Sequence, residues 1–284
     1  MDYYGLPTYR IENESIALEV LAQAGPRIVR LMGHDSNKNL FAETPDISIP
    51  SPYGPFKMLG GHRLWHAPEV RQRTYYPDDS GVSLESFPGG LCLYGPVEPP
   101  SGIRKKIHIS LEGDRPLVKL THHLENTGLW PVELAPWAIT MLPLGGKLVL
   151  PQPTGPGKNE LLPNRKLALW PYTRLNDPRL ELGDEYIYLH ALANENPIKI
   201  GYLNVDGWAA YENNGVLFVK HFSPIQHANY PDEGCNVETY CWDRFIELET
   251  LGPLVYLEPG ESVEHTEVWE IADPETWTAS PTSV

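Results

Sequence analysis

The sequence predicts an all-β protein, one large antiparallel sandwich with few short helices. Three observations carry this. Apolar and polar residues alternate over short runs, turn signals separate those runs at high density, and no segment keeps a helical period. The 29 prolines and 24 glycines among 284 residues leave little room for long helices.

The elements follow in order. Ile16, Leu18 and Val20 alternate with Ser15, Ala17 and Glu19, and Gly25-Pro26 turns the chain into a strand over 27–31. Ile107, Ile109 and Leu111 alternate with Lys106, His108 and Ser110. Glu112-Gly113-Asp114 turns that strand into 117–125, where Val118, Leu120, His122 and Leu124 share a face. On this reading His122 is a core histidine and His123 faces outward. Strands over 208–211 and 216–220 flank Asn213-Asn214-Gly215, a hairpin signal because Asn-Gly accepts positive φ at little cost. Runs over 244–250 and 263–271 form a last pair around Glu258-Pro259-Gly260-Glu261. The stretch from Pro151 to Asn164 reads as a long loop and is the best candidate linker. Strands resume beyond it with no shift in composition, so one domain is expected over 1–272, with a polar, disordered tail over 273–284.

Composition narrows the function. Lys plus Arg number 22 against 37 for Asp plus Glu, a net charge of −15 that repels phosphate backbones and anionic membranes. Neither nucleic acid nor membrane is therefore an expected partner. The start lacks the basic and apolar regions of a signal peptide. Three cysteines, Cys92, Cys235 and Cys241, show no CxxC spacing, which points to a reduced, cytoplasmic protein, with Cys235–Cys241 pairing as the alternative. The 8 Trp and 15 Tyr outnumber the 6 Phe, and rings with a polar tip suit a site that is apolar on one face and wet at its edge.

Three stretches could hold chemistry. The segment from Gly60 to Glu69 reads as a loop in which two glycines turn sharply or let backbone approach a ligand. His62, Arg63, Trp65 and His66 follow them, types that hydrogen-bond hydroxyls, balance charge and stack on rings. His62 and His66 would have zinc-ligand spacing on a helix, but Pro68 and the glycines oppose a helix and no third ligand is evident. No metal or other cofactor is expected. In the second stretch, Glu247 and Glu249 share one face of a strand about 7 Å apart, and like charges at that range favour one of them keeping a proton. A solvated strand face would carry the same pattern. The third stretch, Lys220 and His221 followed by Asp232 beyond His227, is equally compatible with an ordinary polar loop.

The order of motifs resembles the galactose mutarotase-like superfamily, the aldose 1-epimerases and their hexose-phosphate relatives. Gly25-Pro26-Arg27-Ile28 with Asn39-Leu40-Phe41 is similar to that family's opening strands. Gly60-Gly61-His62-Arg63 falls at its glycine-rich sugar loop, and Asn126-Thr127-Gly128 at a strand end. Leu248-Glu249-Thr250, then Leu257-Glu258-Pro259-Gly260-Glu261 and the strand to Trp269, resemble its ending. The resemblance implies a β-supersandwich whose concave face holds a sugar. It also implies a glutamate taking the C1 hydroxyl proton while a histidine protonates the ring oxygen. Carried over, Glu249 is the base. The family's histidine strand reads Ala135-Pro136-Trp137-Ala138-Ile139-Thr140 here, and the indole of Trp137 cannot protonate an oxygen.

Two functions follow. As a sugar 1-epimerase, the protein would use Glu249 as base and His62 or His66 as acid, with His221 and His227 as further candidates. Arg63, Asp232, Glu247 and His221 would contact hydroxyls, Trp65 or Trp137 would stack, and Arg63 with Lys220 would hold any anionic group. The alternative is a non-catalytic sugar-binding protein using the same aromatic cleft. An imidazole within reach of the ring oxygen, when Glu249 faces C1, separates them.

Overall fold

The computed structural model describes residues 1–34, 38–154 and 161–279. The alternating runs form strands as their period requires. Ile103–Leu111 pairs antiparallel with Leu117–Asn126, and Ile107, Ile109, Val118, Leu120 and Leu124 point into one core. Trp208–Asn213 and Val216–Phe222 close around Asn214 and Gly215, whose φ values of 51° and 74° suit a type I′ turn.

Among the described residues two large sheets form. An 11-stranded sheet runs from Asp2–Tyr3 at one edge through Leu6–Glu12, Ile16–Leu21, Arg27–Gly33, His62–Ala67 and Val132–Leu142. It continues through Ile246–Leu251, Val237–Cys241 and Ile198–Tyr202 to Leu167–Leu169, with Val255–Leu257 on the free end of Val132–Leu142. A 10-stranded sheet has Val216–Phe222, Ser262–Ala272 and Leu117–Asn126 at its centre. The main core takes Ile16, Leu18, Ile28 and Leu64 from the first sheet and Leu93, Ile107, Leu120 and Trp269 from the second, so the two pack face to face. A third, two-stranded sheet, Glu43–Ser51 with Gly54–Gly60, lies outside the sandwich. The chain is thus an antiparallel β-supersandwich. No helix among the described residues is long and apolar enough to cross a membrane.

Three expectations change, and one alternative, the Cys235–Cys241 pair, falls. Ile16–Leu21 is buried at all six positions, because Tyr3, Val29 and Leu59 cover Leu21 on the face away from the main core. The runs over 244–250 and 263–271 are not partners: Ile246–Leu251 joins the first sheet and Ser262–Ala272 the second. Cys235 and Cys241 are both free and buried. The segment after Gly60 is no loop, for His62–Ala67 is a strand buried at every position. Of the expected linker, residues 155–160 lie outside the described residues, as do 280–284 of the expected tail. Within the rest of that tail, Trp277 packs edge-on against Trp208 at 4.9 Å.

The paired glycines serve the backbone. Gly60 and Gly61 have φ of 82° and 68°, and a Cβ would stand 2.0 Å from the Ala42 carbonyl oxygen and 2.1 Å from that of Ile28, respectively. Gly61→Ala therefore combines left-handed strain with a clash against backbone. It is expected to destabilise by more than about 1 kcal/mol, measured by urea melting, with Gly215→Ala, which meets no neighbour, as the milder comparison.

Candidate functional site

The pleat of His62–Ala67 sorts its side chains between two environments. His62, Leu64 and His66 point between the sheets, while Arg63 and Trp65 point to the outer face of the 11-stranded sheet. Cross-strand register extends that outer face. Arg63 lies opposite Ile139, Ile139 opposite Glu249, and Glu249 opposite Glu238. In the next rows Trp65 faces Trp137, and Glu247 faces Tyr240, which in turn faces Lys199. The outer hairpin folds over this face and contributes Ile47, Ile49 and Met58.

Between hairpin and sheet lies a cavity of about 410 Å³, within the usual range for small-molecule sites. Trp65 and Trp137 meet edge-to-face at 5.4 Å on its floor, and Tyr75 stands 5.1 Å from Trp65. Tyr172, Tyr240, Trp242 and Phe245 form the rest of the aromatic wall. Glu69, exposed at the rim, accepts a hydrogen bond from the Tyr75 hydroxyl.

The charged groups are tied to one another. Arg63 donates to Glu247 Oε1 at 2.8 Å and lies 4.3 Å from the Trp65 ring centre. Lys199 Nζ is 2.8 Å from Glu238 and 3.1 Å from Glu249, and 4.6 Å from the Trp137 ring centre. The Lys199–Glu238 ion pair is buried on both sides. Glu249 Oε2 accepts from Trp137 Nε1 at 2.7 Å, and Glu249 is fully buried beneath the cavity floor rather than lining it. Burial and the neighbouring Glu249 push the Glu238 carboxyl well above the usual range, against the opposing pull of Lys199. Burial likewise raises Glu247, with Arg63 opposing. For Lys199, burial disfavours the charge, but Glu249 and Glu238 outweigh it and hold the ammonium well above its ordinary value.

The structure brings Arg63, Trp65, Trp137 and Glu247 together on this cavity, with Glu249 just behind it. It does not bring His62, His66, Lys220, His221 or Asp232 there. His62 and His66 are separated from Glu249 by the sheet itself, since neighbouring residues on a strand face opposite ways. His62 contacts Thr140 and His122, both at 2.9 Å or less, and His66 lies 3.5 Å from Glu98. Lys220 is buried between the sheets, 2.7 Å from Glu267. His221 belongs to the second sheet, where it meets Glu270 at 2.9 Å near Trp277. Asp232 sits in a turn with φ of 50° and does not line the cavity.

Lys199, Glu238, Tyr172 and Tyr240 were not singled out from sequence. A signal existed in Ile198-Lys199-Ile200 and Val237-Glu238-Thr239-Tyr240, where a charge or ring alternates with buried β-branched residues.

Among the described residues one group of side chains has metal-ligand types. His62 Nε2, His122 Nε2 and a Glu267 oxygen lie within 4.8 Å of one another between the sheets. The carboxylate of Glu267 is already held by the Lys220 ammonium, Thr250 and Trp269 Nε1, and His122 Nδ1 bonds the His265 carbonyl oxygen. A dication there would stand beside an ammonium in a site closed to water, so the donor set does not fit one.

No family model and no curated protein matches this sequence. Solved structures do. A galactose mutarotase-like protein from Lactobacillus casei is similar with a TM-score of 0.58 at 12% identity, covering 94% of this chain and 100% of its own. A galactose mutarotase related enzyme from Lactobacillus acidophilus gives 0.61 at 10% identity, covering 94% of this chain and 98% of its own. A TPR-domain containing protein from Parabacteroides distasonis gives 0.63 at 13% identity over 98% of this chain, which spans 48% of that protein. At these identities the likeness shows the fold, which is galactose mutarotase-like.

Proposed function

We propose that this chain, built on a galactose mutarotase-like fold, binds a sugar ring in the outer-face cavity and holds it without a glutamate–histidine pair. One observation carries this reading: among the described residues no imidazole lines the aromatic cavity, and Trp137 stands where an acid would be expected. A ring at that place adds a stacking surface and removes a proton donor. Its N–H also bonds Oε2 of Glu249, and that matched base is buried beneath the floor instead of facing a C1 hydroxyl. A pyranose offers apolar C–H faces to indole and phenol rings and an equator of hydroxyls to polar tips. Tyrosine hydroxyls, Glu69 and Glu247 supply those tips. Three free, buried cysteines fit a reducing compartment such as the cytoplasm.

A second reading has one observation in its favour. Glu247 lines the cavity with a raised carboxyl, two residues from Glu249, and could act as acid in a sugar 1-epimerase that dispenses with imidazole.

Exchange NMR separates the two. With a panel of aldoses at anomeric equilibrium, the expected result is broadening of sugar signals without magnetisation transfer between α and β forms. Trp242→Ala, at the half-buried wall, should weaken binding about ten-fold. Transfer that disappears in Glu249→Gln would establish the epimerase reading instead.

A further inference from the structure

We infer, resting on the sugar-binding reading, that the cavity takes a sugar bearing a carboxylate, a hexuronate in class, and holds its acid group on Arg63. Three buried donors point to such a ligand. Arg63 Nε and NH1 and Trp65 Nε1 have no hydrogen-bond partner, and both side chains line the cavity. An unmet donor on a buried cation is costly, so such groups ordinarily find an acceptor.

Glu247 meets only part of that need. Its Oε1 accepts from Arg63 NH2 at 2.8 Å, which leaves the other two guanidinium nitrogens unserved. This one-point contact survives a pivot of the planar group over the Trp65 ring, 4.3 Å away, and the pivot would turn an N–H edge toward the cavity. A neutral sugar offers hydroxyl oxygens to these donors. A carboxylate accepts more strongly, and from two donors at once.

Charge points the same way. Burial favours the protonated forms of Glu238 and Glu247. Lys199 then has Glu249, 3.1 Å away, as its counter-charge, while Arg63 has none. One incoming carboxylate closes that balance, whereas a phosphate dianion brings a charge too many. Glu69 stands at the exposed rim, bonded to the Tyr75 hydroxyl, where water and salt screen it from the floor. Among the described residues the lining carries no further charge. Tyr172, Tyr240 and Trp242 remain for the apolar face of the sugar ring.

The test titrates the full chain with glucuronate, galacturonate, glucose, galactose, glucose 6-phosphate, glucosamine and cyclohexanecarboxylate, followed by calorimetry and tryptophan fluorescence. Hexuronates are expected to bind about ten-fold more tightly than glucose and galactose. Arg63→Lys keeps the charge but loses the planar donor set, and should remove most of that preference. Glu247→Gln keeps an acceptor for NH2 and removes the competing carboxylate, so glucuronate should bind several-fold more tightly. Should Arg63→Lys fail to fold, as melting would show, the ligand panel and Glu247→Gln decide.

Equal affinity for glucuronate and glucose, or a preference for glucose 6-phosphate or glucosamine, would overturn the carboxylate inference and leave sugar binding standing. Loss of glucuronate binding in Glu247→Gln, or a preference untouched by Arg63→Lys, would overturn the assignment to Arg63. Cyclohexanecarboxylate bound as tightly as glucuronate, with no neutral sugar bound, would overturn the sugar reading and keep the acid site. Silence from every probe would overturn both.

Discussion

Lys220→Met is expected to lower stability by about 3–5 kcal/mol, the usual cost of leaving a buried charge without its partner. Lys220 is fully buried in the strand Val216–Phe222, with Nζ 2.7 Å from Glu267 Oε1. The same ammonium donates to the carbonyl oxygens of Ala138 at 3.2 Å and Leu248 at 3.3 Å. One side chain of the second sheet thus ties two central strands of the first. Burial disfavours the Glu267 carboxylate, but Lys220 beside it more than compensates and holds it below its ordinary value. Methionine fills similar volume, so the expected loss is electrostatic. Urea melting of Lys220→Met, Glu267→Gln and the double variant checks this. The double should recover much of the loss, because the pair then disappears together. Two single variants each costing under about 1 kcal/mol would show that the tie contributes little.

The second large effect is acid destabilisation beginning below the ordinary histidine pKa. His62 and His122 are fully buried between the sheets and His265 nearly so, and burial pulls all three down, His265 from 6.5 to about 3. A histidine held neutral in the folded state binds its proton more readily unfolded, so stability is complete above pH 6.5 and is lost as pH falls below it. For His265 the loss runs down to about pH 3 and amounts to roughly 4–5 kcal/mol when complete. Glu98, lowered to about 2 despite burial because Lys105 and His66 stand beside it, adds a loss in the same direction below the carboxylate range. Glu238 and Glu247, raised by burial, act oppositely over the range where the folded protein takes up their protons. Melting temperatures should therefore fall steadily from about pH 7 to about pH 5, before carboxylates titrate in the unfolded chain. A flat profile across this interval in a Glu238→Gln, Glu247→Gln background would mean that the three buried histidines are not held neutral.

Much of the architecture could be read from residues alone. Period-two runs such as Ile103–Leu111 and Leu117–Asn126, with Gly113 between them, specify a hairpin and its core face together. Asn213-Asn214-Gly215 specifies another. The same pleat placed Glu247 and Glu249 on one face, and His122 inward with His123 outward. Strands covered on both sides lose this legibility. His62–Ala67, buried throughout and flanked by glycines and proline, shows no alternation and so reads as a polar loop. Within it the pleat sends Arg63 and Trp65 to the cavity and His62 and His66 to the interior, and composition cannot distinguish those two sides.

The site itself depends on register between distant segments. Trp65 meets Trp137, and Glu249 meets Glu238 beside Lys199, only because Val132–Leu142 and Ile246–Leu251 pair as they do. A single-residue slip in either would turn Trp137 or Glu249 into the core. Sequence alone therefore established an antiparallel sandwich and most of the residues that alternate within it. Tertiary structure decided which of two buried faces each side chain occupies, because alternation fixes relative orientation along one strand while packing across many strands assigns the faces.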